Sequence, residues 1–322
     1  MLIIGQERSP PIKISVAFAS NGEHLVSGGT DSEGVRVWRV EDGKQMATMA
    51  APYVRCITVS KDRRCIAAGT YFGDVIVWDA KTYKKVFTLE GISDIYGVDF
   101  SPDSTRLVTA SANSTVSIWD IATRERVTLH DDGVLAAKYS PHGDRIATAS
   151  SNSVRVYDGN DRRLLVDIPV KVTGWFNTGL VWSKEHLLVL SDRKIKQIEA
   201  STGSAVSEWL VSGGNDFGHI ALPTHRKFIV HSTNRTVTFW DALTHTQLGL
   251  IQHTRDICSI ALSPDDRFLA IGGEGGNITI RRLSHITVRI VPCWTMEYLN
   301  NARNQTFKST TLRLIHGRAI NS

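Results

Sequence analysis

The chain has 322 residues, 42% hydrophobic and 21% charged, the balance of a soluble globular protein with ample apolar material for a core. Leu2-Ile3-Ile4 is too short for a signal-peptide apolar region, and no stretch approaches the apolar length of a membrane helix. Cys56, Cys65, Cys258 and Cys293 lack metal-ligand spacing, which suits a reducing compartment, so a cytoplasmic or nuclear protein is expected, not a secreted one. Most of the net charge of +5 stands after Ser284, where Arg289, Arg303, Lys308, Arg313 and Arg318 face one acid, Glu297. A nearly neutral body argues against a broad nucleic-acid-binding surface.

Along the chain, one pattern returns. It stands as VRVW at 35–38, VIVWD at 75–79, VSIWD at 116–120, VRVYD at 154–158 and VTFWD at 237–241, with weaker copies at 195–200 and 278–283. The anchors Trp38, Trp78, Trp119, Tyr157, Ile198, Trp240 and Arg281 are spaced 38 to 42 residues apart. A second marker, an apolar residue followed by Ser or Pro and a polar turn, keeps the same beat: FASNG (18–22), VSKDR (59–63), FSPDS (100–104), YSPHG (139–143), WSKEH (182–186), LPTHR (222–226) and LSPDD (262–266). Its composition fits a tight type I hairpin turn. Each unit reads as four short strands, in the second unit 54–60, 65–70, 75–79 and 85–90. One such sheet cannot cover both its faces, whereas stacking seven radially can.

On these residues the chain resembles the WD40-repeat family, which implies an all-β, seven-bladed propeller of four-stranded antiparallel blades over 1–285 and a basic tail over 286–322. Two segments are candidates for the outermost strand of the last blade, Leu2-Ile3-Ile4 and HITVRIV (285–291); the spacing of Ile4 from Ala19 favours closure by the N-terminus. The family's Gly-His pair before the first strand is mostly missing, so its buried Asp–His–Ser/Thr–Trp network is expected to be incomplete.

Chemical motifs read as architecture. Asp79, Asp120, Asp158 and Asp241 are one residue type on four different units, so they cap turns and do not converge as catalytic acids. SGGTDSEG (27–34) and GGEGGN (272–277) lead into no helix that would hold a phosphate and fit hairpin turns. The histidines show no ligand spacing and no nucleophile elbow is present, so no metal, cofactor or catalytic residue is expected. Lys81, Lys84, Lys85, Arg124, Arg126, Arg162 and Arg163 cluster in the turns of one face and read as a solvated rim, with an acidic partner or RNA backbone as the minority reading.

The resemblance implies partner binding at the narrower mouth of the ring, where the first strands start. Counting back from each polar turn places Tyr53 and Arg55, Asp94 and Tyr96, Phe176 and Thr178 beside Trp175, Asp216 and Asp256 around that mouth. A non-catalytic scaffold within a multiprotein complex is the expected function, with nucleic acid reached indirectly if at all and no membrane. The alternatives are a member of an RNA- or chromatin-directed complex, a ubiquitin-ligase substrate receptor, or an enzymatic propeller. The second of these rests on IAAGTYFGDVIVWDAK (66–81), which departs from the adaptor-docking box at Lys81 and at Phe72 or Gly73, where an acid is expected.

Overall fold

The computed structural model describes residues 1–4, 13–19, 21–31, 33–91, 93–130, 133–172, 179–211, 218–224 and 228–283. The tail and its boundary after 285 lie outside them. Among the described residues there are seven four-stranded antiparallel sheets and no α-helix. Blade one runs from strand Ile14–Phe18 to Gln45–Met49, blade two from Val54–Val59 to Lys85–Leu89, and blade three from Ile95–Phe100 to Arg126–His130. Blade four runs from Val134–Tyr139 to Leu164–Pro169, blade five from Leu180–Ser183 to Ala205–Leu210, and blade six from Gly218–Ala221 to Gln247–Gln252.

Blade seven is assembled from two segments far apart in the sequence. Ile257–Leu262, Phe268–Gly273 and Ile278–Arg282 supply three strands, and Leu2–Ile4 supplies the outermost. Leu2, Ile3 and Ile4 pair antiparallel with Ile280, Thr279 and Ile278. The pairing covers a sheet edge that would otherwise invite association with another chain.

The third strands explain the recurring pattern. Val75, Ile76, Val77 and Trp78 are all buried, because a neighbouring blade covers each face of the sheet. The core is therefore a series of seams between blades. Val26, Val35, Val37 and Met49 of blade one pack with Val54, Ile57, Ile66 and Trp78 of blade two. Ile4, Ile278 and Ile280 of blade seven pack with Ile14, Val16, Leu25 and Trp38 of blade one. Full burial of each such side chain stabilises by roughly 1.5–3 kcal/mol.

Both sequence markers are hydrogen-bonding devices. In the first-to-second-strand turns, a buried serine donates to an acid and accepts from the strand's returning backbone. Ser101 Oγ donates to Asp103 Oδ1 at 2.5 Å and accepts from Arg106 N at 2.9 Å; Ser60, Ser140 and Ser263 repeat the arrangement. In the third-to-fourth-strand turns, Asp79 Oδ1 accepts from Lys81 N and Thr82 N at 3.2 and 2.7 Å, and Asp120, Asp158 and Asp241 do the same. The Thr82 hydroxyl, which donates to Asp79 Oδ1 at 2.7 Å, and then the Thr82 N–H hold the Asp79 carboxyl below its ordinary range, and backbone bonds first of all do the same for Asp120, Asp158 and Asp241. The strand-end acids are turn caps.

Those turns also fasten the blades together. Four residues after the strand-end position, the backbone enters the left-handed region at Gly43, Tyr83, Arg124, Arg162, Gly203 and His245, each with its N–H bonded back to the strand-end carbonyl. In four of these blades what stands there meets the outer strand of the preceding blade. Arg124 lies 5.0 Å over Phe87, and His245 stacks on Trp209 at 4.0 Å. Gly203 leaves room for Val166 and Ile168. Gly43 leaves room for the closing strand: a Cβ there would sit 2.6 Å from Ile4 Cγ2 and 2.9 Å from Leu2 Cδ2. Gly43→Ala is expected to destabilise the protein by about 2 kcal/mol through crowding. It should cost clearly less in an Ile4→Ala background; equal losses in urea unfolding would refute the contact.

The tryptophan network is incomplete but not absent. Trp38 Nε1 donates to Ser27 Oγ at 2.7 Å and Trp119 Nε1 to Thr109 Oγ1 at 3.2 Å; in blade seven His253 Nε2 and Thr279 Oγ1 lie 3.2 Å apart. In blade six the corresponding second-strand position is His231, fully buried, with neither ring nitrogen partnered and Trp240 Nε1 unpartnered as well. Burial pushes the His231 imidazole down to about 4, and the neighbouring His219 is pushed the same way by burial and by His231. A base with a lowered folded-state pKa stabilises fully above its ordinary value of 6.5, and that contribution is lost as pH falls toward 4. About 3 kcal/mol rides on this window. His231→Thr, which restores the blade-one and blade-three chemistry, should make the stability profile shallower between those pH values, leaving the slope that His219 contributes. A wild-type profile parallel to the variant's would show that His231 does not titrate there.

Candidate functional site

The first strands of six blades enclose a cavity of about 550 Å³ along the ring axis. Apolar residues such as Ile14, Val54, Ile57, Ile220 and Ile257 alternate on its wall with Lys13, Arg55, Lys138, Asp256 and Glu274. Lys138 Nζ lies 3.3 Å from Asp99 Oδ1, so part of this charge is internally paired. Among the described residues no group of three His, Cys, Asp or Glu side chains converges to hold a metal.

At the mouth, one backbone clasp recurs. The carbonyl just before a first strand accepts from the N–H just after the second strand of the same blade: Lys13 from Thr30, Tyr53 from Tyr71, Asp94 from Ala112 and Asp256 from Glu274, at 3.1, 2.9, 2.9 and 2.7 Å. The clasp is shared, but the side chains it presents differ. Counting one residue further along the second loop, blade one shows Lys13, Thr30 and Asp31, blade three Asp94, Ala112 and Asn113, and blade seven Asp256, Glu274 and Gly275. Blade two shows Tyr53, Tyr71 and Phe72, three rings that are 43%, 50% and 58% exposed.

The rings form one cluster. Phe72 meets Tyr53 and Tyr71 edge to face, with centroids 5.4 and 5.6 Å apart. Tyr53 is held in the left-handed region at φ 49°, and its N–H donates to Asp31 O of blade one at 2.8 Å. Arg55 reaches from beneath: its guanidinium carbon lies 4.9 Å from the Tyr71 ring centroid, and Nε and Nη2 donate to the two oxygens of Asp94 at 3.2 and 3.0 Å. That fork ties blade two to blade three. Burial pushes the Asp94 carboxyl up, and Arg55 pulls it part of the way back. Half-buried Tyr96 completes the group, its hydroxyl pushed up by burial and then by the Asp94 charge.

Four of the sequence-predicted residues, Tyr53, Arg55, Asp94 and Tyr96, thus meet at the seam of blades two and three. Asp256 stands apart on blade seven, where its Oδ1 accepts from Arg235 Nε at 2.9 Å. Trp175, Phe176, Thr178 and Asp216 lie outside the described residues. On the opposite face, Arg124 and Arg126 lie over Phe87 and Trp119, so two of the basic turn residues are engaged in packing.

The WD domain, G-beta repeat family matches residues 83–120, 124–158 and 244–281. Each match starts in a third-to-fourth-strand turn and ends on the third strand of the next blade. The chain is a seven-bladed propeller that carries WD40 repeats. It is 23% identical over 277 residues to the transcriptional corepressor LEUNIG_HOMOLOG of Arabidopsis thaliana, covering 83% of this chain and 35% of that protein. Similarity to the B component of chromatin assembly factor 1 of Mus musculus is 26% over 164 residues, 49% of this chain and 25% of the relative. A guanine nucleotide-binding protein of Zea mays, the beta chain, is 24% identical over 306 residues, 84% of this chain and 69% of the relative. The chain thus spans about a third or less of the length of the first two.

Two rim residues of the propeller, Tyr71 and Phe72, are not among the mouth residues that register counting selects. Counting back from the polar turns samples only the start of the first strand and the loop before it, whereas these rings stand in the loop after the second. The Arg55–Asp94 pair makes a sharp prediction. Arg55→Ala leaves the carboxylate half-buried without its partner and is expected to destabilise by about 2 kcal/mol. Replacing both residues by Met and Leu should cost less than the single change. Equal or greater loss in the double variant, by chemical denaturation, would contradict the burial argument.

Proposed function

We propose that this propeller is a non-catalytic scaffold that binds a protein or peptide partner at its mouth, within a multiprotein complex of the cytoplasm or nucleus. The observation that carries the reading is the exposed ring cluster of blade two, set beside the Arg55–Asp94 clasp on a rigid rim. Tyrosine and arginine held in place by a scaffold are the residue types enriched at binding hot spots. The strand-end acids are occupied as turn caps, which removes the most conspicuous carboxylates from any catalytic role. Similarity to a transcriptional corepressor and to a chromatin assembly factor favours a chromatin-directed complex as the setting, with this chain as its protein-binding member.

Affinity purification coupled to mass spectrometry tests the proposal. Tyr53→Ala and Tyr96→Ala together should reduce recovery of the specific partner set at least about tenfold, given the contribution of single aromatic hot spots. A control with Lys81, Lys84 and Lys85 replaced on the opposite face should retain it. Unchanged recovery by the folded mouth variant, or loss only in the opposite-face variant, would reject the mouth as the site.

A further inference from the structure

We infer that the ring cluster of blade two anchors a linear peptide segment that presents a large apolar or aromatic side chain, an inference that rests on the mouth being a partner-binding surface. Three features of the cluster specify this ligand chemistry. First, the charge beside it is already satisfied: both Asp94 oxygens accept from Arg55. Second, the cluster already carries a cation of its own, because the Arg55 guanidinium lies 4.9 Å from the Tyr71 centroid and disfavours a second positive charge beside it. What remains open to a partner is apolar ring surface, chiefly Phe72 and the outer parts of the two tyrosines that pack edge to face against it. Third, the cluster is pre-organised. Its backbone is tied by Tyr53 N to Asp31 O and by Tyr71 N to Tyr53 O, so little ordering cost falls on binding.

Size separates a peptide from a second copy of this chain. Three half-exposed rings offer on the order of 300 Å² of ring surface. A stable dimer needs roughly 800 Å² from each partner. The flanking rim of blade three continues with Ala112 and Asn113 and extends the apolar surface little. A patch of this size suits one inserted side chain with a few flanking residues.

The test screens the full chain against a random linear peptide library displayed on phage, at low and high salt. Selected peptides should share a Phe, Trp, Leu or similar residue, bind with little salt dependence, and lose at least about tenfold in affinity to the Tyr71→Ser/Phe72→Ser variant. Both substituted residues are exposed, and an unchanged unfolding temperature establishes that the variant is folded. Selection of uniformly Lys/Arg-rich or acidic peptides whose binding fades with salt would overturn the inference. So would self-association by sedimentation velocity that the double variant abolishes. Apolar peptides that survive the double variant but are lost with Glu274→Ala would also overturn it, while leaving partner binding at the mouth intact. A folded wild-type protein that selects no peptide would sink both.

Discussion

No blade of this protein can bury its own faces, so every blade depends on the seams with its two neighbours. A ring satisfies that dependence only if it closes, and closure rests on three residue pairs between Leu2–Ile4 and the third strand of blade seven. The short strand does more than cover an edge. Ile4 enters the apolar seam with Ile14, Leu25 and Trp38, and Leu2 and Ile4 together fill the space left by Gly43 in the blade-one turn. Hydrogen bonding, packing and turn geometry thus meet in one place. The same turn position serves three other blades with a side chain or a glycine matched to what the preceding outer strand presents: Arg124 on Phe87, Gly203 beside Val166 and Ile168, and His245 on Trp209.

A closed ring fixes the loops at its mouth. The clasp between the two rim loops of a blade uses only backbone atoms, so it places no demand on the side chains there. Tyr53 shows the consequence: a bulky residue tolerates a left-handed backbone because hydrogen bonds to blade one and to its own second loop hold it. Freedom of side-chain choice on a rigid frame is what a recognition surface requires.

The architecture was legible because packing demands the same residues in every copy. A third strand covered by a neighbouring blade on each face keeps its first, third and fourth positions apolar and leads into a tight turn, so VIVWD and its close relatives announce equivalent strands. The Ser-Pro marker was equally readable, although its operative residue is the serine, whose hydroxyl bridges an acid and a returning N–H. The site was legible only in part. Tyr53, Arg55, Asp94 and Tyr96 fell out of register counting along the chain, but their grouping depends on a contact between different blades. Tyr71 and Phe72 carry no repeat signal, since the same positions hold Ala112 and Asn113 in blade three. His231 was hidden for a related reason: a polar residue on a buried strand reads as one more member of the network until its nitrogens are seen to lack partners.

Departures from the repeat come in two kinds, and they bear differently on function. His231 is a buried departure: it replaces a hydroxyl that would have accepted from a tryptophan, and it acts on stability from inside the fold. Tyr53, Tyr71 and Phe72 are an exposed departure at three positions of a single blade. Packing does not require them, because blade three makes the same clasp at 2.9 Å with Asp94 and Ala112. Apolar ring surface facing water is unfavourable for an isolated monomer, and clustering three rings on one rim concentrates that surface. The arrangement becomes favourable once a partner covers it, and the rigid clasp beneath the rings keeps them assembled until one does.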